Sequence, residues 1–204
     1  MVPYVVVRGC DVDRPCGWTT AHRSASGALS GSGADEEFGE VVREGSERVG
    51  AVLVGRTSFE GYDRLRQEHP ESPALELLNR VPKYVVSTTL ERPQWEHTHV
   101  VNADVPARIR TLVDTVQRGP NPDVLLLGSP SLVRFTLEHA LLDRLKLLIL
   151  PIIVGTGPRL FADLQDPIGL AVESASTLRS GIIHVVYTRP ATVEHTDADH
   201  SHAP

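Results

Sequence analysis

Apolar residues fall along this chain in short runs and in helical stripes, and the two alternate. Tyr4–Val7 is a β-branched apolar run and predicts a buried strand. Ala51–Val54, Lys83–Ser87, His99–Asn102 and Asp123–Leu127 predict four more. Asp35–Gly50 opens on Asp35, Glu36 and Glu37, which favour a helix start, and Phe38, Val41 and Val42 give it a partial apolar stripe. Ser72–Leu78 predicts a short helix with Pro73 in its first turn. Pro106–Gln117 carries Ile109, Leu112, Val113 and Val116 at helical spacing, and Ser131–Leu142 predicts a further helix. A sixth strand follows at Leu145–Val154. Leu170–Thr177 and Gly181–Thr188 then flank a short turn, the pattern of an antiparallel hairpin.

Strands that alternate with helices predict an α/β fold, in which a mostly parallel sheet is flanked by helices on both faces. The C-terminal antiparallel hairpin makes that sheet mixed. Asp11–Ser32 is rich in Gly, Ser, Pro and Asp and reads as a long irregular segment, of a length that is usually functional. Beyond Pro190 the apolar pattern stops. The expected organisation is one domain over residues 1–190 and a disordered tail over 191–204.

Composition narrows the function. The chain has 204 residues, 41% of them apolar and 23% charged, enough to bury a core without metals or disulfides. A net charge of -6 argues against a nucleic-acid partner, though it leaves room for a local basic pocket. Cys10 and Cys16 form neither a disulfide framework nor a zinc pair and read as free thiols in a cytoplasmic protein. The longest apolar run, Leu147–Val154, is broken by Pro151 and is too short for a membrane span. The histidines show no metal-ligand spacing, and His195, His200 and His202 sit in the tail.

Three strand ends carry chemistry. Asp123–Leu127 runs into Gly128-Ser129-Pro130-Ser131 and a helix. Gly128 permits a sharp turn, Ser129 suits the helix cap, Pro130 suits the first turn, and a helix start attracts a pyrophosphate. Ala51–Val54 runs into Gly55-Arg56-Thr57-Ser58, an arginine fork followed by hydroxyls, both of which bind phosphate. Lys83–Ser87 ends in Ser87-Thr88-Thr89, three hydroxyls that suit a 2′-phosphate or a plain turn. Each feature alone also reads as an ordinary turn. Together they describe one anion-binding edge at the carboxyl ends of parallel strands, where open α/β sheets bind ligands. Gly155-Thr156-Gly157 lacks the third glycine of a Rossmann fingerprint and reads as a turn or a wall of the site.

The runs Val52–Thr57, Pro82–Thr88 and Gly128–Leu132, with Leu142–Leu145 and Pro151–Phe161, resemble the dihydrofolate-reductase-like family. The branch they resemble most is the C-terminal reductase domain of the riboflavin-pathway enzyme RibD, and the resemblance covers about residues 3–189. It implies an NADPH-dependent oxidoreductase that acts on a small molecule, usually as a homodimer. It assigns Gly55, Arg56, Thr57, Ser87 and Thr88 to the adenosine 2′-phosphate side, and Gly128, Ser129, Ser131 and Leu132 to the pyrophosphate.

Two departures bear on the substrate. The family's Ser-Leu-Asp-Gly run is here Asp11-Val12-Asp13-Arg14, so Asp13 matches the substrate-facing aspartate while Arg14 replaces the glycine. The family's glutamate before the later glycine turn is here Leu127. Asp13 is the expected catalytic acid, with Trp18, Glu60 and Tyr62 as expected substrate contacts. The altered positions leave open a binding protein or a non-redox catalyst built on the same fold.

Overall fold

A computed structural model describes residues 4–5, 34–151, 160–161, 164 and 166–190. In chain order the elements are β1 (Tyr4–Val5), α1 (Ala34–Ser46), β2 (Val49–Gly55), α2 (Arg56–Glu68), α3 (Glu76–Arg80), β3 (Lys83–Val86) and β4 (Thr98–Val101). There follow α4 (Val105–Val116), β5 (Asp123–Leu127), α5 (Pro130–Glu138), β6 (Arg144–Ile149), β7 (Ala171–Thr177) and β8 (Ile183–Thr188). A single 3-10 turn, Pro73–Leu75, leads into α3.

The α/β class and the C-terminal hairpin are as expected. The one mixed sheet is instead hydrogen-bonded as two. A wholly parallel sheet has the order β4-β3-β2-β5, and a second sheet has the order β1-β6-β8-β7. In the second sheet β1 pairs with β6 in parallel, while β6, β8 and β7 are antiparallel. The two sheets meet where β1 comes alongside β5.

The central strands are buried on both faces, which is why they read as unbroken apolar runs. Ala51, Leu53, Val124 and Leu126 face Ile109 and Leu112 of α4 and Val133 and Leu137 of α5. Val52, Val54, Val85 and Leu125 face Phe59, Tyr62 and Leu65 of α2 and Leu78 of α3. Val52, Leu53 and Val54 are 0% exposed, so truncating any of them opens a cavity at a cost of about 1–4 kcal/mol.

Helix α2 was absent from the sequence expectation. Its buried face is Phe59, Tyr62 and Leu65, set among charged residues and Gly61, and no side chain caps its start. Strand β2 passes into it without a polar linker, so the usual start signals are missing. The helix expected over Asp35–Gly50 ends at Ser46, because Val49 and Gly50 already belong to β2. Val49 is 1% exposed and opens the strand at a register irregularity against β5. The sixth strand, expected to Val154, ends at Ile149. Residues 6–33, 152–159 and the tail from 191 lie outside the described residues, and with them the whole of the expected Asp11–Ser32 segment and both cysteines. No helix of the described residues is long and apolar enough to cross a membrane.

One charge is built into the core. Lys83, at the start of β3, is 0% exposed. Its Nζ donates to the carbonyls of Leu78 (2.7 Å) and Val81 (3.3 Å), closing the end of α3 against the sheet. The same ammonium lies 4.9 Å from the centroid of the Trp95 ring. Burial lowers its pKa from 10.5 to about 8; Arg66 adds to the shift and Glu96 opposes it. The folded state therefore binds fewer protons than the unfolded chain between about pH 8 and 10.5, and stability rises with pH across that window. Urea unfolding from pH 7.5 to 10.5 should show the unfolding free energy of the wild type gaining on that of Lys83→Met, by at most about 3 kcal/mol. Parallel pH profiles for the two proteins would show that Lys83 is not the titrating group.

Candidate functional site

Strand β2 lies between β3 and β5, and all three are parallel, so their carboxyl ends emerge on one edge. Val86 pairs with Gly55, and Leu127 with Val54. This register sets Gly55-Arg56, Ser87-Thr88 and Gly128-Ser129 next to one another, as the sequence suggested.

Side-chain hydrogen bonds fasten the three ends together. Ser129 Oγ accepts from the Gly55 backbone N–H at 2.8 Å and lies 3.0 Å from Ser58 Oγ, joining β5 to β2 and α2. Gly128 and Ser129 are both left-handed, with φ of 66° and 62°. For a serine that conformation costs about 1–2 kcal/mol, and the paired hydroxyl offsets it. A Cβ on Gly128 would come within 3.0 Å of Ser58 Oγ, so this turn takes only glycine comfortably. The expected helix cap is corrected here. Ser129 sits at the N-cap of α5 but makes no side-chain cap, because its hydroxyl is turned across to Gly55.

On the other side, Arg56 Nε donates to Glu60 Oε1 at 2.6 Å, and its Nη1 donates to Thr89 Oγ1. The guanidinium thus spans from the end of β2 to the turn after β3. It remains about half exposed, with a side-chain exposure of 48%. Ser87 Oγ accepts from the backbone N–H of Thr89 (3.2 Å) and of Leu90 (3.0 Å), so Ser87 builds the turn that presents Thr88 and Thr89.

The expected site residues therefore divide. Arg56, Thr57, Thr88 and Ser131 are exposed on the shared edge. Gly55, Ser87 and Ser129 lie on it with their polar groups tied into the scaffold. Leu132 is 5% exposed in the inner core, and its N–H donates to Ser129 O at 2.9 Å. The expected substrate contacts Glu60 and Tyr62 both lie on α2. Tyr62 is 2% exposed and packs in the cluster beneath α2, and Glu60 serves as the carboxylate partner of Arg56. Asp13 and Trp18 lie outside the described residues. In the sequence Thr89 and Ser58 stand out only as parts of their motifs. Their adjacency to Thr88 and Thr57 was the available signal, but the pairings cross 33 and 71 residues of sequence. Ser129→Ala leaves the Gly55 N–H part-buried without its acceptor and should lower the unfolding free energy by about 1–2 kcal/mol, read from the urea midpoint. A midpoint equal to wild type would remove Ser129 as the fastener.

The family model of the RibD C-terminal domain matches residues 17–184. The sequence is 27% identical to the uncharacterized protein YyaP of Bacillus subtilis (strain 168) over 144 residues, 69% of this chain and 74% of that one. The fold is similar to that of a pyrimidine reductase-like protein of Corynebacterium diphtheriae, with a TM-score of 0.52 at 14% identity, over 94% of this chain and 91% of that one. It is also similar to RibD of Acinetobacter baumannii, with a TM-score of 0.52 at 15% identity, over 79% of this chain and 51% of the longer RibD chain. With the family model spanning most of its length, this chain belongs to the RibD C-terminal domain family, a family of reductase-like domains.

Proposed function

We propose that this protein is an NADPH-dependent reductase that passes hydride to a small metabolite, either heterocyclic or carrying a C=N, C=O or C=C bond. Family membership sets the coarser class, an oxidoreductase. The observation that supports the cofactor is the single edge at which Arg56, Thr57, Thr88 and Thr89 are gathered from two adjacent strand ends.

The groups on that edge suit a phosphorylated dinucleotide. Arg56, with Thr57 and Thr88, would hold the 2′-phosphate, since a guanidinium held between Glu60 and Thr89 is already oriented when the anion arrives. The Gly128 turn, Ser131 and the start of α5 would take the pyrophosphate. Ser87, Ser129 and Gly55 set the positions of these groups, and Leu132 anchors the helix behind them. NADPH, when bound, supplies the hydride. Asp13 is the proposed acid that holds a proton for the substrate, and Trp18 the proposed ring that stacks on it.

The proposal takes the protein to be cytoplasmic, with neither nucleic acid nor membrane as partner. It includes a homodimer, supported by the apolar side chains of Ile149, Val172 and Ile183 left exposed on the second sheet. Sedimentation of the intact chain should give twice the mass of one chain, and a monomer at micromolar concentration would contradict that part.

Titration with NADPH should raise the melting temperature, and absorbance should follow NADPH consumption with pterins, pyrimidines or cyclic imines as acceptors. Absence of a melting shift would overturn the proposal. A shift without turnover across the acceptors would favour a binding protein on the same fold. Arg56→Ala should weaken NADPH by about tenfold or more while changing NADH little, since a charged hydrogen bond is lost only with the 2′-phosphate. Equal weakening of both would refute the assignment of Arg56.

A further inference from the structure

A second groove begins beside the strand-end edge, at the carboxyl end of β4, where Val101 accepts from the Ser87 N–H at 3.1 Å. It runs between β4, the outermost strand of the parallel sheet, and helix α4, and has a volume of about 320 Å³. None of Arg56, Thr57, Thr88 or Ser131 lines it. We propose that this groove is a separate binding site for a planar aromatic or heteroaromatic ring that bears a carboxylate or a phosphate.

The ring preference comes from the sheet register. Leu53, Tyr84 and His99 are cross-strand neighbours on β2, β3 and β4 and form one row across the face under α4. Tyr84 and His99 stack, with centroids 4.9 Å apart and ring planes at 26°. The row ends at His99, which is exposed, since among the described residues no strand follows β4 in that sheet. A flat ring set against His99 continues the row where the side chain of a next strand would have stood. Aromatic pairs stabilise one another at centroid separations of about 4.5–7 Å, so the stack extends without any movement of the backbone.

The charge preference comes from Arg108. It lines the groove from the first turns of α4 and is exposed. Arg43, Arg48, Arg56, Arg66 and Arg144 each lie on a carboxylate, whereas Arg108 has no ion pair or side-chain hydrogen bond among the described residues. Among the described residues no Asp or Glu lines the groove either, so Arg108 gives it a local positive charge on a chain of net charge -6. Thr111 and Thr115 donate their hydroxyl protons to helix carbonyls, at 3.0 and 2.7 Å, and keep lone pairs for ring N–H groups. Asn102, at the end of β4, adds an amide that both donates and accepts. The volume is at the lower end of small-ligand sites and fits one or two fused rings.

The test uses the whole, ¹⁵N-labelled protein and 1-naphthyl phosphate as the probe. Saturable amide shifts are expected at His99, Asn102, Arg108 and Thr111. Cyclohexyl phosphate, which lacks the ring, and 2-naphthol, which lacks the charge, should bind about tenfold more weakly or worse. Arg108→Met, a change at an exposed side chain, should weaken the probe by about tenfold, and His99→Ala several-fold. Arg56→Met should leave the affinity unchanged. Three results would overturn the proposal: no saturable shift, shifts confined to residues 55–58, 87–90 and 128–132, or full affinity in Arg108→Met. The first and second are read on the unmodified protein, so they stand whatever the variants do.

Discussion

The hydroxyl of Ser129 holds the edge of this molecule together. Its bond to the Gly55 N–H fixes the distance between the end of β5 and the end of β2, and its approach to Ser58 fixes α2 against both. Two left-handed residues in succession, Gly128 and Ser129, are needed to turn the chain so that the hydroxyl faces β2. The helix start at Pro130 therefore gives up a side-chain cap so that the strand ends keep their spacing. Without that spacing Arg56, Thr88 and the α5 start would be three ordinary turns.

The second constraint is the thickness of the core. Strands buried on both faces can be sealed only by helices on both sides. Helices α4 and α5 cover one face, and α2 and α3 cover the other. The short α3 helix has little apolar surface of its own, and the buried ammonium of Lys83 makes up for this by bonding the carbonyls at its end. Trp95 receives that ammonium on its ring and donates its own N–H to Asn79 Oδ1 at 3.2 Å, so among the described residues the charge is enclosed without a carboxylate in contact. α4 covers only part of the outermost strands, and the uncovered remainder is the groove beside β4.

Charge placement separates the two concave regions. At the strand ends Arg56 is held between Glu60 and Thr89, which orients the fork and lowers the net charge of the edge. In the β4 groove Arg108 has no such counter-charge among the described lining residues. An anion at the first meets an oriented donor, and at the second an uncompensated one. The two regions therefore differ in charge: the edge carries an arginine already paired with a carboxylate, and the groove an exposed arginine with no carboxylate among its described lining residues.

The sequence by itself determined the strand pattern, the α/β class, the terminal hairpin and the three glycine- and hydroxyl-bearing strand ends. Each of these is local: a buried strand is an apolar run, and a turn needs its own glycine or hydroxyl. It did not disclose α2, whose start follows β2 directly and whose buried face is three residues among charges. It could not say that Tyr62 faces the core, that Glu60 belongs to Arg56, or that Ser129 reaches β2 and leaves its own helix uncapped. The groove by β4 was equally invisible, since Tyr84, His99 and Arg108 meet only through strand register and helix packing. Those facts are pairings between residues distant in the chain, and only the closed tertiary structure decides which partners come within hydrogen-bonding reach.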